Sequence, residues 1–184
     1  MTVLRLLVDS RIIEFHSIDA YLLGVVPREM PALWPMEALK AQAIVARSYA
    51  AFAYLWPRHG GASAHLCNTT HCQMWRSATH PRTDQAVMET AGKVLTYHGR
   101  IAQTFYSARC GGRTVHAWNP AAAPWCQPVD CPCGPSEPNG HRRGLCQHGA
   151  RIFAEQGWDH EQIVLHYFAN VKFGHFELNQ EEGQ

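Results

Sequence analysis

The stretch Pro35-Met-Glu-Ala-Leu-Lys-Ala-Gln-Ala-Ile-Val-Ala-Arg-Ser-Tyr-Ala-Ala-Phe-Ala-Tyr54 decides the fold. It is rich in alanine, carries Met36, Leu39, Ile44 and Val45, and meets no glycine before Gly60. Those are strong helix formers, and Pro35 suits a first helical turn. The stretch therefore predicts one long helix at the centre of a core. Lys40 and Arg47 lie seven residues apart on one face of it. Lys40 reads as a side chain that runs its stem over apolar surface and its charge into water.

Outward from that helix the pattern changes. Residues 1–16 alternate Val, Leu, Ile and Phe around a polar Asp9-Ser10, which predicts short strands and a turn. Asp19 is a candidate cap for a short helix over 20–26, and Pro27 and Pro31 bracket a loop holding Glu29 and Met30. Residues 57–82 are irregular. A short helix is expected over 83–92, then a hairpin of 93–97 and 101–107 through His98-Gly99. The stretch 109–149 is long and rich in Gly, Pro and Cys, and such loops are usually functional or cross-linked. A helix over 161–168 closes the fold, and 179–184 reads as a polar tail. The expectation is a single α+β domain over 1–178. In it the long helix packs on antiparallel strands from 93–116 and the N-terminal segment, and long loops form a substrate cleft.

Composition narrows the function. The chain has 184 residues, is 46% hydrophobic, and balances 16 basic against 15 acidic residues for a net charge of +1. No basic run stands out, so an electrostatic grip on nucleic acid is not expected. A neutral or weakly charged substrate such as a polysaccharide fits better. No apolar run reaches membrane-spanning length; 41–56 is too short and is broken by Arg47. No secretory leader is read in the opening residues, so an exported protein would take its signal from outside this chain. Phosphate-loop, His-Glu-x-x-His, Gly-x-Ser-x-Gly and dinucleotide motifs are absent from the sequence.

Six segments occur in order: Tyr21-Leu-Leu-Gly-Val-Val-Pro-Arg-Glu-Met-Pro31, Trp34-Pro-Met-Glu-Ala-Leu-Lys-Ala-Gln-Ala-Ile-Val-Ala-Arg-Ser-Tyr49, Cys67-Asn-Thr-Thr-His-Cys-Gln73, Ala91-Gly-Lys-Val-Leu-Thr-Tyr97, Tyr106-Ser-Ala-Arg-Cys-Gly-Gly-Arg-Thr114 and Gly140-His-Arg-Arg-Gly-Leu-Cys-Gln-His-Gly-Ala150. Together, over about 21–168, they resemble the SpoIID/LytB domain of stage II sporulation protein D and the amidase enhancers. The resemblance implies an extracytoplasmic cell-wall protein. In its sporulation branch it implies a lytic transglycosylase that cleaves the bond between N-acetylmuramic acid and N-acetylglucosamine in strands stripped of stem peptides. Glu29 then matches the family's catalytic glutamate and Arg47 the arginine of its Ala-Arg-x-Tyr segment. Thr70, Gln73, Tyr106, His141 and Gln147 become candidates for contact with sugar. The chain departs from the pattern in three places: Arg142 follows Gly140-His141 and Cys146 stands where Ser is common, Asn68 replaces a common Asp, and the sheet-rich region before Tyr21 is short.

The residues give these assignments a physical reading. A lytic transglycosylase can use one carboxyl group twice, first as acid and then as base, whereas hydrolytic glycosidases usually need two. Apolar neighbours Val25, Val26, Pro27, Met30 and Pro31 would raise the pKa of Glu29 toward the range of a general acid. Arg47 would stabilise charge or orient Glu29, or else form a structural salt bridge with Glu37 or another acid. Trp34, Trp75, Trp118 and Trp125 could stack on sugar faces or sit in the core.

Seven Cys and twelve His are many for this length. His65, Cys67, His71 and Cys72 fall within eight residues. They suit a structural zinc site, with His65, Cys67 and Cys72 as the ligand set, or disulfides in an oxidising compartment. Cys131-Pro-Cys133 is too tight for an easy mutual disulfide, so each should look elsewhere, and Cys110 and Cys146 could join either scheme. No cofactor is required for the expected chemistry. Three functions stay open: a lytic enzyme on peptidoglycan glycan strands, a non-catalytic wall-binding enhancer of a cell-wall amidase, and an intracellular zinc-binding structural protein.

Overall fold

The computed structural model describes residues 2–59 and 63–178. The polar tail read at 179–184 lies outside the described residues. The chain opens with two antiparallel strands, β1 (Leu4–Val8) and β2 (Arg11–Phe15), joined by Asp9 and Ser10 at φ +45° and +67°. Positive φ at both residues gives a turn whose twist matches the strands. A short helix α1 (Ile18–Leu22) follows, capped by Ser17, whose hydroxyl accepts from Ala20 N at 3.1 Å. The cap is therefore Ser17, not Asp19. Residues 27–29, read as loop, join Val26 in one helical turn, α2 (Val26–Glu29), with Pro27 in its first turn, where a missing N–H goes unnoticed.

The expected long helix is α3 (Met36–Leu55). It is buried on nearly every side from Ala38 to Ala53, as a helix at the centre of a domain should be. One flank packs Leu39, Ile44 and Val45 against Phe153, Ile163, Val164 and Phe168. The other packs Ala43, Ala46 and Ala50 against Leu4, Leu6, Tyr21, Leu22, Val87 and Val94. Alanine on that flank lets neighbouring elements approach closely. Full burial of Leu39 or Ile44 stabilises by roughly 1.5–3 kcal/mol each.

After α3, β3 (Leu66–Cys67) pairs in parallel with β1, completing a three-stranded sheet. The helix α4 (Pro81–Glu89) is capped by His80, and β4 (Lys93–Tyr97) turns into β5 (Arg100–Ile101). The hairpin expected to run through 107 stops at Ile101. Tyr106–Ser107 forms β6 and pairs in parallel with β7 (Leu145–Cys146). Two helices, α5 (Gln147–Glu155) and α6 (His160–Tyr167), and a last strand β8 (Lys172–His175) complete the chain. β8 is the antiparallel partner of β4. The architecture is α+β, with α3 enclosed by strands and helices on all sides. Polar side chains tie α3 to the sheet: Ser48 Oγ accepts from Leu95 N (2.9 Å), and Thr104 Oγ1 donates to Val45 O (2.7 Å). Among the described residues, no helix is long and apolar enough to cross a membrane.

Candidate functional site

Glu29 ends α2 and faces a cleft of about 560 Å³. Val26 and Met30, both buried, anchor the turn on either side, leaving Glu29 half-buried between core and cleft. Its Oε1 accepts a hydrogen bond from Met74 N at 2.9 Å. That donor is held in place by its neighbours. Gln73 is buried, accepts from the Tyr21 hydroxyl (3.1 Å) and donates to Ala46 O (3.2 Å); Arg76 N donates to Gly24 O (3.1 Å). Gly24 permits this approach, because a Cβ there would lie 2.2 Å from Arg76 O.

Burial pushes the Glu29 carboxyl above the usual carboxylate range. The Met74 N–H, then the nearby Tyr106 hydroxyl and Gln147 side chain, pull it part of the way back. The Tyr106 hydroxyl is buried in the cleft wall without a hydrogen bond of good geometry. Opposite Glu29 the cleft is walled by Phe105, Trp118, Asn119 and His141. Trp118 is exposed, with the Arg143 guanidinium 4.2 Å from its ring centre and the His141 ring at 4.7 Å. Burial, then Arg143, lowers the His141 pKa, so the ring is neutral near neutral pH. Glu29 is the one carboxylate among the described residues that line the cleft.

Thr70, Tyr106 and His141 line the cleft as the sequence suggests. Other expectations are corrected. Arg47 does not face Glu29: it is fully buried and makes a 2.7 Å ion pair with Asp19. It also donates to Val87 O (3.0 Å), Lys93 O (3.2 Å) and Thr90 Oγ1 (3.3 Å), bonding α1, α4 and β4 to α3. Its twelfth place in the helix turns the side chain away from α2, and the guanidinium satisfies buried carbonyls instead. Gln73 points into the core, where it positions the Met74 loop, and Gln147 is buried beside Gln42 rather than open to the cleft. Residues 110–114, expected on the rim, do not line the cleft; its far wall is drawn from 103–108, 117–123 and 139–141. Of the tryptophans, Trp118 is the one in the cleft, while Trp125 is buried and donates from Nε1 to Gln103 O.

Beside Glu29 the cleft wall carries His71 and Cys72. They belong to a group with His59 and Cys67 whose ligand atoms all lie within 4.8 Å of one another. Cys72 Sγ is 3.4 Å from His59 Nε2 and 3.5 Å from His71 Nδ1, and Cys67 Sγ is 3.8 Å from His71 Nδ1. His65 is not part of the group: its Nδ1 accepts from Arg5 N (2.8 Å), and its ring rests on Tyr54. His59, which sequence spacing did not nominate, takes the fourth place because the chain folds back through a His59–Ala64 bridge. Burial raises the Cys72 thiol to about 11, whereas bonds from Thr69 and Cys72 overcome burial to lower Cys67. Two thiols and two imidazoles at this spacing fit a tetrahedral zinc ion with every position filled by protein.

Comparison with known proteins follows this geometry. The family model described as stage II sporulation protein matches residues 9–97, which hold Glu29, α3 and the His/Cys loop. This match, together with the relatives that follow, supports the SpoIID/LytB family. Among its relatives is the amidase enhancer of Bacillus subtilis, 39% identical over 92 residues, covering 50% of this chain and 12% of that protein. An uncharacterized protein of Brachyspira hyodysenteriae is 38% identical over 105 residues, covering 56% and 28%. Stage II sporulation protein D of Bacillus amyloliquefaciens is 28% identical over 147 residues, covering 68% and 42%. The chain thus spans less than half the length of each of these relatives.

Proposed function

We propose that this SpoIID/LytB domain acts at the bacterial cell envelope as a lytic transglycosylase on peptidoglycan strands stripped of stem peptides, with Glu29 as its acid and base. The observation that carries the reading is Glu29 itself: a single carboxyl group, raised in pKa by burial, in a cleft with no second carboxylate among its described lining residues. A hydrolase of the usual kind would need a partner carboxylate, either to activate water or as a nucleophile. A lytic transglycosylase does not. Protonated Glu29 donates its proton to the glycosidic oxygen as the bond to the muramic C1 breaks. The carboxylate so formed then accepts the C6 hydroxyl proton as that oxygen closes on C1, giving a 1,6-anhydro end and restoring the acid without consuming water.

Other residues position and bind. The Met74 N–H orients one oxygen of Glu29, and the buried Tyr106 hydroxyl stands beside the reacting carboxyl and favours its ionised form. Trp118, exposed and flanked by His141, offers a face for sugar stacking, and Thr70 lies on the near rim. A zinc ion held by His59, Cys67, His71 and Cys72 would act structurally, since all four places are filled by protein; it would brace the loop leading to Met74. The test is incubation with denuded glycan strands and mass spectrometry of the released sugars, with anhydro-ended fragments expected. A second reading rests on the 39% identity to an amidase enhancer. Wall binding that accelerates a cell-wall amidase, with no anhydro products, would favour it.

A further inference from the structure

A second sulfur cluster lies behind the far wall of the cleft, beyond the residues matched by the family model. Cys110, Cys131, Cys133 and Cys146 bring their four Sγ atoms within 4.8 Å of one another. They come from three separate parts of the chain: the segment after β6, the Pro-rich loop, and the start of α5. Cys110 and Cys146 are fully buried, Cys131 nearly so and Cys133 half so. Cys131 and Cys133 are separated by Pro132 alone, yet their sulfurs converge. The chain turns sharply there, with Gly134 at φ +71° and its N–H donating to Cys131 O.

We infer that these four cysteines form a structural zinc site. A tetrahedral ion with Zn–S bonds near 2.3 Å holds its sulfurs about 3.8 Å apart, which matches this packing. An iron–sulfur cube places iron and sulfide between each pair of thiolates and spreads them more widely. The surroundings suit thiolate. Gly112 N–H donates to Cys133 Sγ (3.4 Å), Gly149 N–H donates to Cys146 Sγ (3.4 Å), and the Tyr167 hydroxyl lies 3.1 Å from Cys131 Sγ. Donors of this kind orient metal-bound sulfur and offset its charge. Cys146 also caps the nine-residue α5, whose N-terminus favours negative charge. On binding, four thiols lose their protons to solvent and form four Zn–S bonds, with no redox change.

The site accounts for a long wall with little regular structure. Residues 109–144 are joined by isolated bridges, Arg109–Asn139, Arg113–Asp130 and Val115–Arg143, with no extended ladder among the described residues. A zinc ion would fasten both ends of this stretch and its middle to α5. It would thereby fix Trp118, Asn139 and His141 against the cleft.

The experiment uses the full chain carrying Cys67→Ser and Cys72→Ser, which removes the first cluster, purified anaerobically from zinc-supplied cells. One equivalent of zinc resistant to dialysis is expected, with the four remaining cluster thiols unreactive toward Ellman's reagent until chelator and denaturant are added together. Cobalt substitution should give the intense sulfur-to-metal absorption of a tetrathiolate, and Cys133→Ser should lose the metal. If the double variant fails to fold, zinc-edge anomalous scattering from crystals of the native chain locates the ion directly. Metal-free protein with four reactive thiols would overturn the proposal. So would intact masses lower by two hydrogens per cysteine pair, which report disulfides.

Discussion

Replacing Arg47 with alanine should unfold the domain more readily rather than damage the chemistry of the cleft. The guanidinium is fully buried, pairs with Asp19 at 2.7 Å and satisfies Val87 O and Lys93 O. Burial pulls its pKa down, and Asp19 offsets the pull, so the charge depends on the pair. Removing one partner of a buried pair typically costs about 3–5 kcal/mol. Here Arg47→Ala also takes a donor from Lys93 O and from Val87 O, the latter keeping only the Thr90 hydroxyl at 3.3 Å, and leaves a cavity. Asp19 remains partly solvated at 26% side-chain exposure, which relieves some of the cost and argues for the lower half of that range. For a domain of this size about 3–4 kcal/mol corresponds to a fall in Tm of roughly 6–16 °C. Asp19→Asn should fall by a similar amount, and Arg47→Met combined with Asp19→Leu by less than the two single losses together. Thermal and urea unfolding followed by circular dichroism measure all of these. An Arg47→Ala variant that melts within 2 °C of its parent, yet has lost its cleft activity, would refute this reasoning and return Arg47 to the chemistry.

Three further outcomes are expected. Because the folded pKa of Glu29 is raised, its ionised form weakens the fold, and that penalty grows as pH rises from about 4.3 through the folded value. Glu29→Gln should therefore melt higher than its parent near pH ~8 and no higher near pH ~4; equal melting at both would count against a buried Glu29. Glu37 behaves oppositely: bonds from Lys40 and His160 overcome burial and hold it at about 2, so the stability it contributes is present above about pH 4.3 and lost as pH falls toward about 2. In acid melts Glu37→Gln should lose the parent's dependence over that window, and an unchanged dependence would contradict it. Gly24→Ala should displace the loop carrying Met74 and destabilise by about 2 kcal/mol or more, since backbone lies 2.2 Å from the added Cβ; a structure of the variant with the Met74–Glu29 bond intact would sink that account.

Much of this was legible in the sequence. The composition of residues 35–54 announces a buried helix, and Asp9-Ser10 between apolar, strand-compatible runs announces the first hairpin. What escaped was whatever depends on distant partners. Arg47 reads equally well as catalytic or structural until Asp19, 28 residues earlier, is seen beside it. His65 looked like a ligand from spacing alone, but the strand edge of β1 claims its ring, and a fold-back of the chain delivers His59 instead. α5 was hidden by Gly149, a poor helix residue. It is needed there because a Cβ would meet the Tyr167 hydroxyl at 2.1 Å and Cys131 Sγ at 2.3 Å. The pairing of β8 with β4 likewise joins residues some eighty positions apart and leaves little local trace.

The most direct test of the central claim compares the native chain with Glu29→Gln on denuded glycan strands, reading the released sugars by mass spectrometry. The account predicts 1,6-anhydro-ended fragments from the native chain. It predicts at least a ~100-fold loss of them from the variant, which folds and binds the strands but cannot shuttle a proton. Undiminished release by Glu29→Gln would contradict it.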